Sequence, residues 1–142
     1  MTAERDEAAQ AWQAMRSLVL DLYDKRDVVS DALDMSFIRA KALLLLSAQP
    51  RTMRQLAAAL ATDAPYTTVV VDDLERRGLA TRRVHPEDRR SKLVTVTTPG
   101  RKAARVAHKI LNEPPPALRA MSARDLRALD RILQQLVVKA RN

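Results

Sequence analysis

The sequence has no cysteine. That excludes disulfides, thiolate metal sites, cysteine nucleophiles and thiol-based redox sensing within the chain. Only two glycines occur, Gly78 and Gly100, so no glycine-rich loop can cradle a phosphate. Aromatic residues make up 3%, too few for a single-strand binder built on stacking platforms. The longest purely apolar run, Ala42–Leu46, falls far short of the roughly 20 residues of a membrane span. The first ten residues, MTAERDEAAQ, carry Glu4, Asp6 and Glu7 and have no apolar core of an export signal. A cytoplasmic protein with no membrane partner is expected. The two histidines, His85 and His108, lie 23 positions apart. With no cysteine and no paired carboxylate spacing beside them, neither a metal site nor a catalytic histidine–carboxylate set is expected. No cofactor and no enzymatic activity are therefore anticipated.

What is present is a compact basic chain. It has 142 residues, 46% of them hydrophobic, which is one domain's worth and too apolar for a disordered polycation. The formal net charge is +8. That charge is unevenly placed. Residues 1–50 hold six basic and eight acidic side chains, a net of −2. Residues 51–110 hold thirteen and six, a net of +7, and residues 111–142 hold six and three, a net of +3. A local basic excess on a folded segment is the footprint of a polyanion, nucleic acid first and anionic membrane second.

Apolar residues at Ala8, Trp12, Met15, Leu18, Val19, Leu22 and Tyr23 step by threes and fours. They predict an amphipathic helix over about 8–23, open to continuing toward Val29. A second helix is expected over Ser36–Ala48, apolar nearly all round and stopped before Pro50. Thr52 with Gln55 reads as a capping box for a short helix through Leu60. Asp63 then caps a helix with Pro65 in its first turn, running to about Arg77. Thr67, Val70, Val71 and Leu74 share its core face, with Tyr66, Val69 and Asp73 opposite, and Gly78 ends it. Two helices with a tight break suggest a helix-turn-helix. Strands over 79–84 and 93–97, joined by a polar loop, make a hairpin after it, which is a wing. Further helices are expected from Thr98 to about Leu111 and, after Pro114–Pro116, from Ser122 to the end. The fold class is mainly α with a small β-hairpin wing. The last helix carries an apolar stripe, Leu126, Leu129, Ile132, Leu133, Leu136, Val137 and Ala140, that needs another apolar surface.

This order of elements resembles the MarR family of bacterial transcriptional regulators, over essentially the whole chain. The most specific residues are Asp72–Leu79, then Asp88-Arg89-Arg90 and the run through Thr97 to Gly100. They stand at the family's leucine–glutamate helix end, its aspartate-x-arginine wing and its closing threonine-x-x-glycine. The resemblance implies a single domain over 1–142. A winged helix-turn-helix lobe would occupy about 36–100, flanked by dimerisation helices at about 4–30 and 101–142. It also implies a homodimer, a repressor role and a pseudo-palindromic double-stranded DNA operator. One departure is plain. Many members have serine-threonine-valine-threonine-arginine where this chain has Pro65, Tyr66, Thr67, Thr68 and Val69. Bidentate base readout by that arginine is not available here.

The DNA-contact candidates are Thr52, Arg54, Pro65, Tyr66, Thr68, Val69, Arg89 and Arg90. Arginine suits the enhanced negative potential of a narrow minor groove. Asp88 supports the wing, either by holding Arg90 or by fixing the loop turn through a backbone hydrogen bond. Arg82, Arg83 and Lys92 would add phosphate attraction. The competing readings are a helix cap for Thr52 and a solvated charged hairpin for the wing. For the chain as a whole the alternative is a winged-helix module for protein contacts. The resemblance further implies a small aromatic or lipophilic effector. Trp12, Met15, Met35 and Phe37 are its candidate pocket, with ordinary core packing the favoured competitor.

Overall fold

The computed structural model describes residues 6–142. Positions 4 and 5 of the expected first dimerisation helix lie outside the described residues. Helix α1, Glu7–Arg16, is capped by Asp6, whose carboxylate accepts from the Ala9 N–H at 3.1 Å. It continues as a π-helical segment, Ser17–Leu22, and stops at Tyr23. It does not run on toward Val29. Asp24 breaks it by accepting from the backbone N–H of Arg26 at 3.0 Å and from that residue's guanidinium at 2.6 Å. Such local side-chain capture competes with helix. A separate helix α2, Arg26–Leu33, then begins and ends at Asp34, a non-glycine residue with φ of 50°.

Helix α3, Phe37–Ala48, is the centre of the lobe, packing on α2 and on four elements that follow it. Ala40, Ala42, Leu43 and Leu46 are buried, while Leu44 and Leu45 are half-buried against the same core. After Pro50 comes a two-residue strand that the sequence did not predict, β1, Arg51–Thr52. Helix α4, Met53–Leu60, starts with the expected capping box: Thr52 Oγ1 accepts from Gln55 N–H, and Gln55 Oε1 accepts from Thr52 N–H. Helix α5, Ala64–Arg76, is capped by Asp63, with Pro65 in the first turn. Its end is a Schellman turn: Gly78 N–H donates to Glu75, Leu79 N–H donates to Leu74, and Gly78 has φ of 74°.

Strands β2, Ala80–Val84, and β3, Lys92–Val96, are antiparallel, pairing Ala80 with Val96 and Val84 with Lys92. The sheet order is β1-β3-β2, because β1 adds to β3 through Arg51–Val94 and Thr52–Leu93. Val94 is fully buried and fastens the sheet to the helical core. Helix α6, Thr98–Asn112, packs on α3 and α2. Thr97 secures its start, with Oγ1 accepting from Gly100 N–H at 3.1 Å and donating to the Gly78 carbonyl at 2.7 Å.

The chain divides into two compact units, one ending at Asn112 and one spanning Glu113–Asn142. In the second, the prolines interrupt the helix as expected. A short helix α7, Pro116–Arg119, that the sequence did not predict comes before α8, Ala123–Arg141. Ser122 caps α8, accepting from Asp125 N–H at 3.1 Å. No residue of α8 is buried, and its stripe leaves Ile132, Leu133, Leu136 and Val137 exposed.

Candidate nucleic-acid interface

The α4–α5 pair is a helix-turn-helix. The helices pack on one another, and the break between them is only Ala61–Asp63, with Ala61 left-handed at φ of 53°. Thr67, Val70, Val71 and Leu74 are fully buried, which fixes the rotation of α5 about its axis. That rotation leaves Pro65, Tyr66, Thr68 and Val69 exposed at the N-terminal end. Tyr66 N–H is taken by Asp63 at 2.7 Å, so the cap also orders the first turn. The Thr68 hydroxyl donates to the Ala64 carbonyl at 3.1 Å, and its lone pairs stay open outward. Arg54 is exposed in the first turn of α4, and Thr52 is its half-buried cap.

The wing tip is built from Asp88. Its carboxylate accepts from Arg90 N–H at 3.0 Å, and its carbonyl accepts from Ser91 N–H at 3.0 Å. Of the two supports considered for Asp88, the structure has the backbone turn. The side chains of Arg89 and Arg90 are therefore left exposed, with no hydrogen-bond or ion-pair partner among the described residues. The tip is closed further by His85, whose Nδ1 accepts from Glu87 N–H at 3.1 Å. At the wing base the Thr81 and Thr95 hydroxyls meet at 2.9 Å across β2 and β3.

Comparison with known proteins places this arrangement. The MarR family model matches residues 33–91, the segment from the end of α2 through the wing tip. Over that segment the winged helix-turn-helix of this chain matches the MarR family. Among solved structures, a MepR mutant of S. aureus aligns with a TM-score of 0.73 at 22% identity, covering 91% of this chain and 97% of that one. The transcriptional repressor CouR, bound to a 23-mer DNA duplex, aligns at 0.65 and 27% identity, covering 95% and 96%. The transcriptional regulator BldR of Sulfolobus solfataricus aligns at 0.63 and 25%, covering 93% and 98%. The search of curated proteins finds no match.

Two side chains of this MarR-type lobe differ from the sequence reading. Asp73 does not lie on the open face with Tyr66 and Val69; it is buried at 8% exposure. Arg39 Nε of α3 donates to it at 2.8 Å and Arg77 Nε at 2.9 Å, and Arg76 pairs with it as well. These guanidiniums, Arg76 foremost, hold the Asp73 carboxyl down at about 2, against the opposing effect of burial. No sequence signal marks this, because Arg39 is 34 positions away and meets Asp73 only in the fold. Arg82 is not free for phosphate. It pairs with Glu75 at 2.6 Å and with Asp72, tying β2 to the last turns of α5. Arg83 and Lys92 remain exposed.

The four effector candidates are dispersed. Met35 is buried and Phe37 packs on the same core, whereas Trp12 is 61% exposed on α1. Met15 is half-buried on the same helix. A surface cleft of about 370 Å³ follows the π-helical segment and is lined by Gln13, Arg16, Ser17, Leu20 and Asp21. None of the four candidates lines it. No helix among the described residues is long and apolar enough to cross a membrane, and no cluster there could hold a metal ion.

Proposed function

We propose that this chain is a homodimeric, sequence-specific double-stranded DNA-binding transcriptional regulator, and that it acts as a repressor. The observation that carries the reading is the pairing of two surfaces. The open first turns of α5 present Pro65, Tyr66, Thr68 and Val69, and the wing presents Arg89 and Arg90 unpaired. In this reading α5 enters the major groove and the wing arginines enter the minor groove. Tyr66 and Thr68 supply polar contacts, and Val69 supplies apolar contact to a thymine methyl. Thr52 and Arg54 hold phosphate at the start of α4. The net charge of +7 on residues 51–110 supports the polyanion partner. Arg82 is left out of the phosphate set, because two carboxylates already occupy it.

The second copy is assigned to the exposed apolar surfaces, Ile132, Leu133, Leu136 and Val137 on α8, Trp12 on α1, and Val19 and Leu22 on the π-helical segment that follows it. Two recognition helices then read half-sites about one helical turn apart, in a pseudo-palindrome. A small aromatic or lipophilic effector that prefers one spacing of those helices would shift the dimer between states and release DNA. Genome-wide footprinting with the purified protein tests the proposal. The expected result is paired protections about one turn apart beside a promoter. No protection and no mobility shift of duplex even at low salt would leave a protein-contact module instead.

A further inference from the structure

Asp73 is an expensive residue in its position. It lies in the last turns of α5, where the helix dipole is negative and a carboxylate is unfavourable. It is also nearly buried, which costs solvation. Arg76 and Arg77, three and four residues on, are enough to neutralise it within its own helix. Arg39 is the additional partner, and it comes from α3. It is aimed by Ser36, whose Oγ accepts from Arg39 Nη1 at 2.7 Å. Arg77 makes a second crossing, donating through Nη1 to the carbonyl of Asp34 at 2.7 Å. Asp34 is the left-handed residue that turns α2 into α3. One carboxylate thus gathers two ties from the end of α5, one to α3 and one to the α2–α3 corner.

We infer that Asp73, through Arg39 and Arg77, is a positioning residue for operator discrimination: it sets the tilt of the recognition helix without touching DNA. The inference rests on the DNA-binding reading above. Asp73 is seven residues from Tyr66, about 10 Å along the helix axis. A tilt of about 5° pivoting at Asp73 moves the Tyr66 end by about 1 Å. Base-edge hydrogen bonds do not survive such a shift, because their range is a few tenths of an ångström. Phosphate attraction does survive it, because it falls off slowly with distance. Loss of the tie should therefore cost specificity and leave non-specific binding alone.

The informative variant is Arg39→Gln. It cuts the α3 tie while Asp73 keeps Arg76 and Arg77, so no carboxylate is left buried and bare. The probes are a duplex that the wild-type protein enriches from a random library, and a random duplex of equal length. The readout is the ratio of the two Kd values, with the salt slope on random duplex and the melting temperature measured alongside. Arg39→Gln should lower the ratio at least fivefold, with Kd and salt slope on random duplex unchanged. Arg39→Lys, which keeps the charge and loses the fork, should fall between, and Asp73→Glu should retain more discrimination than Asp73→Asn. A merely structural role would lower the melting temperature and leave the ratio intact. An unchanged ratio in Arg39→Gln, with the wild type discriminating, overturns this inference alone. Should Arg39→Gln not fold, an unchanged ratio in Arg39→Lys and Asp73→Glu overturns it equally. If the wild type enriches no sequence and binds no duplex, the DNA-binding reading falls and takes this inference with it.

Discussion

Replacing Gly100 by alanine adds one methyl group to an α-helix, and helix propensity alone predicts a gain of about 1 kcal/mol. The structure predicts the opposite. A Cβ at Gly100 would sit 2.0 Å from the Leu79 carbonyl oxygen and 2.6 Å from Val96 Cγ2. The first obstacle is backbone, so relief requires α6 to move away from the wing base. That movement also pulls Gly100 N–H from Thr97 Oγ1, a cap worth about 1 kcal/mol. Overpacking costs roughly 1–3 kcal/mol, so the net loss should be about 1–3 kcal/mol. Gly78 is the control. It has φ of 74° with nothing within 4 Å of an added Cβ, so alanine there costs backbone strain alone, about 1 kcal/mol. Asparagine, which tolerates the left-handed region, should be accepted at Gly78 and rejected at Gly100. Urea unfolding followed by far-ultraviolet circular dichroism, at one fixed protein concentration, measures both. A Gly100→Ala protein as stable as the wild type, or more so, would refute the argument from close approach.

The other predictions concern the wing and the buried carboxylate. Arg90→Ala should weaken operator binding by about 1–3 kcal/mol in a fluorescence-anisotropy titration, with the melting temperature unchanged; equal affinity removes Arg90 from the interface. Arg89→Glu should flatten the dependence of log K on log salt, because fewer counterions are released on binding. Asp73 titrates at about 2 in the folded chain against an ordinary 3.8. A depressed carboxyl stabilises the fold above its unfolded value and stops doing so as pH falls through the folded one. Between pH 4 and pH 2 the wild type should therefore lose about 2 kcal/mol that Asp73→Asn does not lose, read by urea unfolding at each pH. Parallel pH profiles for the two proteins would contradict the ion-pair account.

Local chemistry carried most of the fold into view. The Thr52–Gln55 box, the Asp63 and Ser122 caps and the Gly78 stop each depend on residues within a few positions, and each sits where the spacing implied. The buried face of α5 followed from its period. The departures come from contacts that spacing cannot encode. Strand β1 exists only because Arg51 and Thr52 meet Val94 and Leu93 some forty positions later. Asp73 looks like a surface residue until Arg39 arrives from α3. Arg82 looks like a free phosphate contact until the hairpin brings it against Glu75. The break at Asp24 was local but ambiguous, since the same residues permit a continued helix. At the interface, the open positions on α5 and the arginine tip were legible from helical period and turn chemistry. The ion pairs that decide which neighbouring arginines stay free were not.

Trp12 is the only tryptophan of the chain, and it stands 61% exposed on α1. Tryptophan emission, excited beyond the tyrosine band so that Tyr23 and Tyr66 stay silent, therefore reports α1 alone. Melting of the winged helix would pass with little change in emission, so optical and circular-dichroism unfolding curves need not coincide. Coverage of α1 by a second copy would instead shift the emission toward the blue. The chain thus carries a built-in optical gauge of association that is nearly blind to the stability of its winged helix.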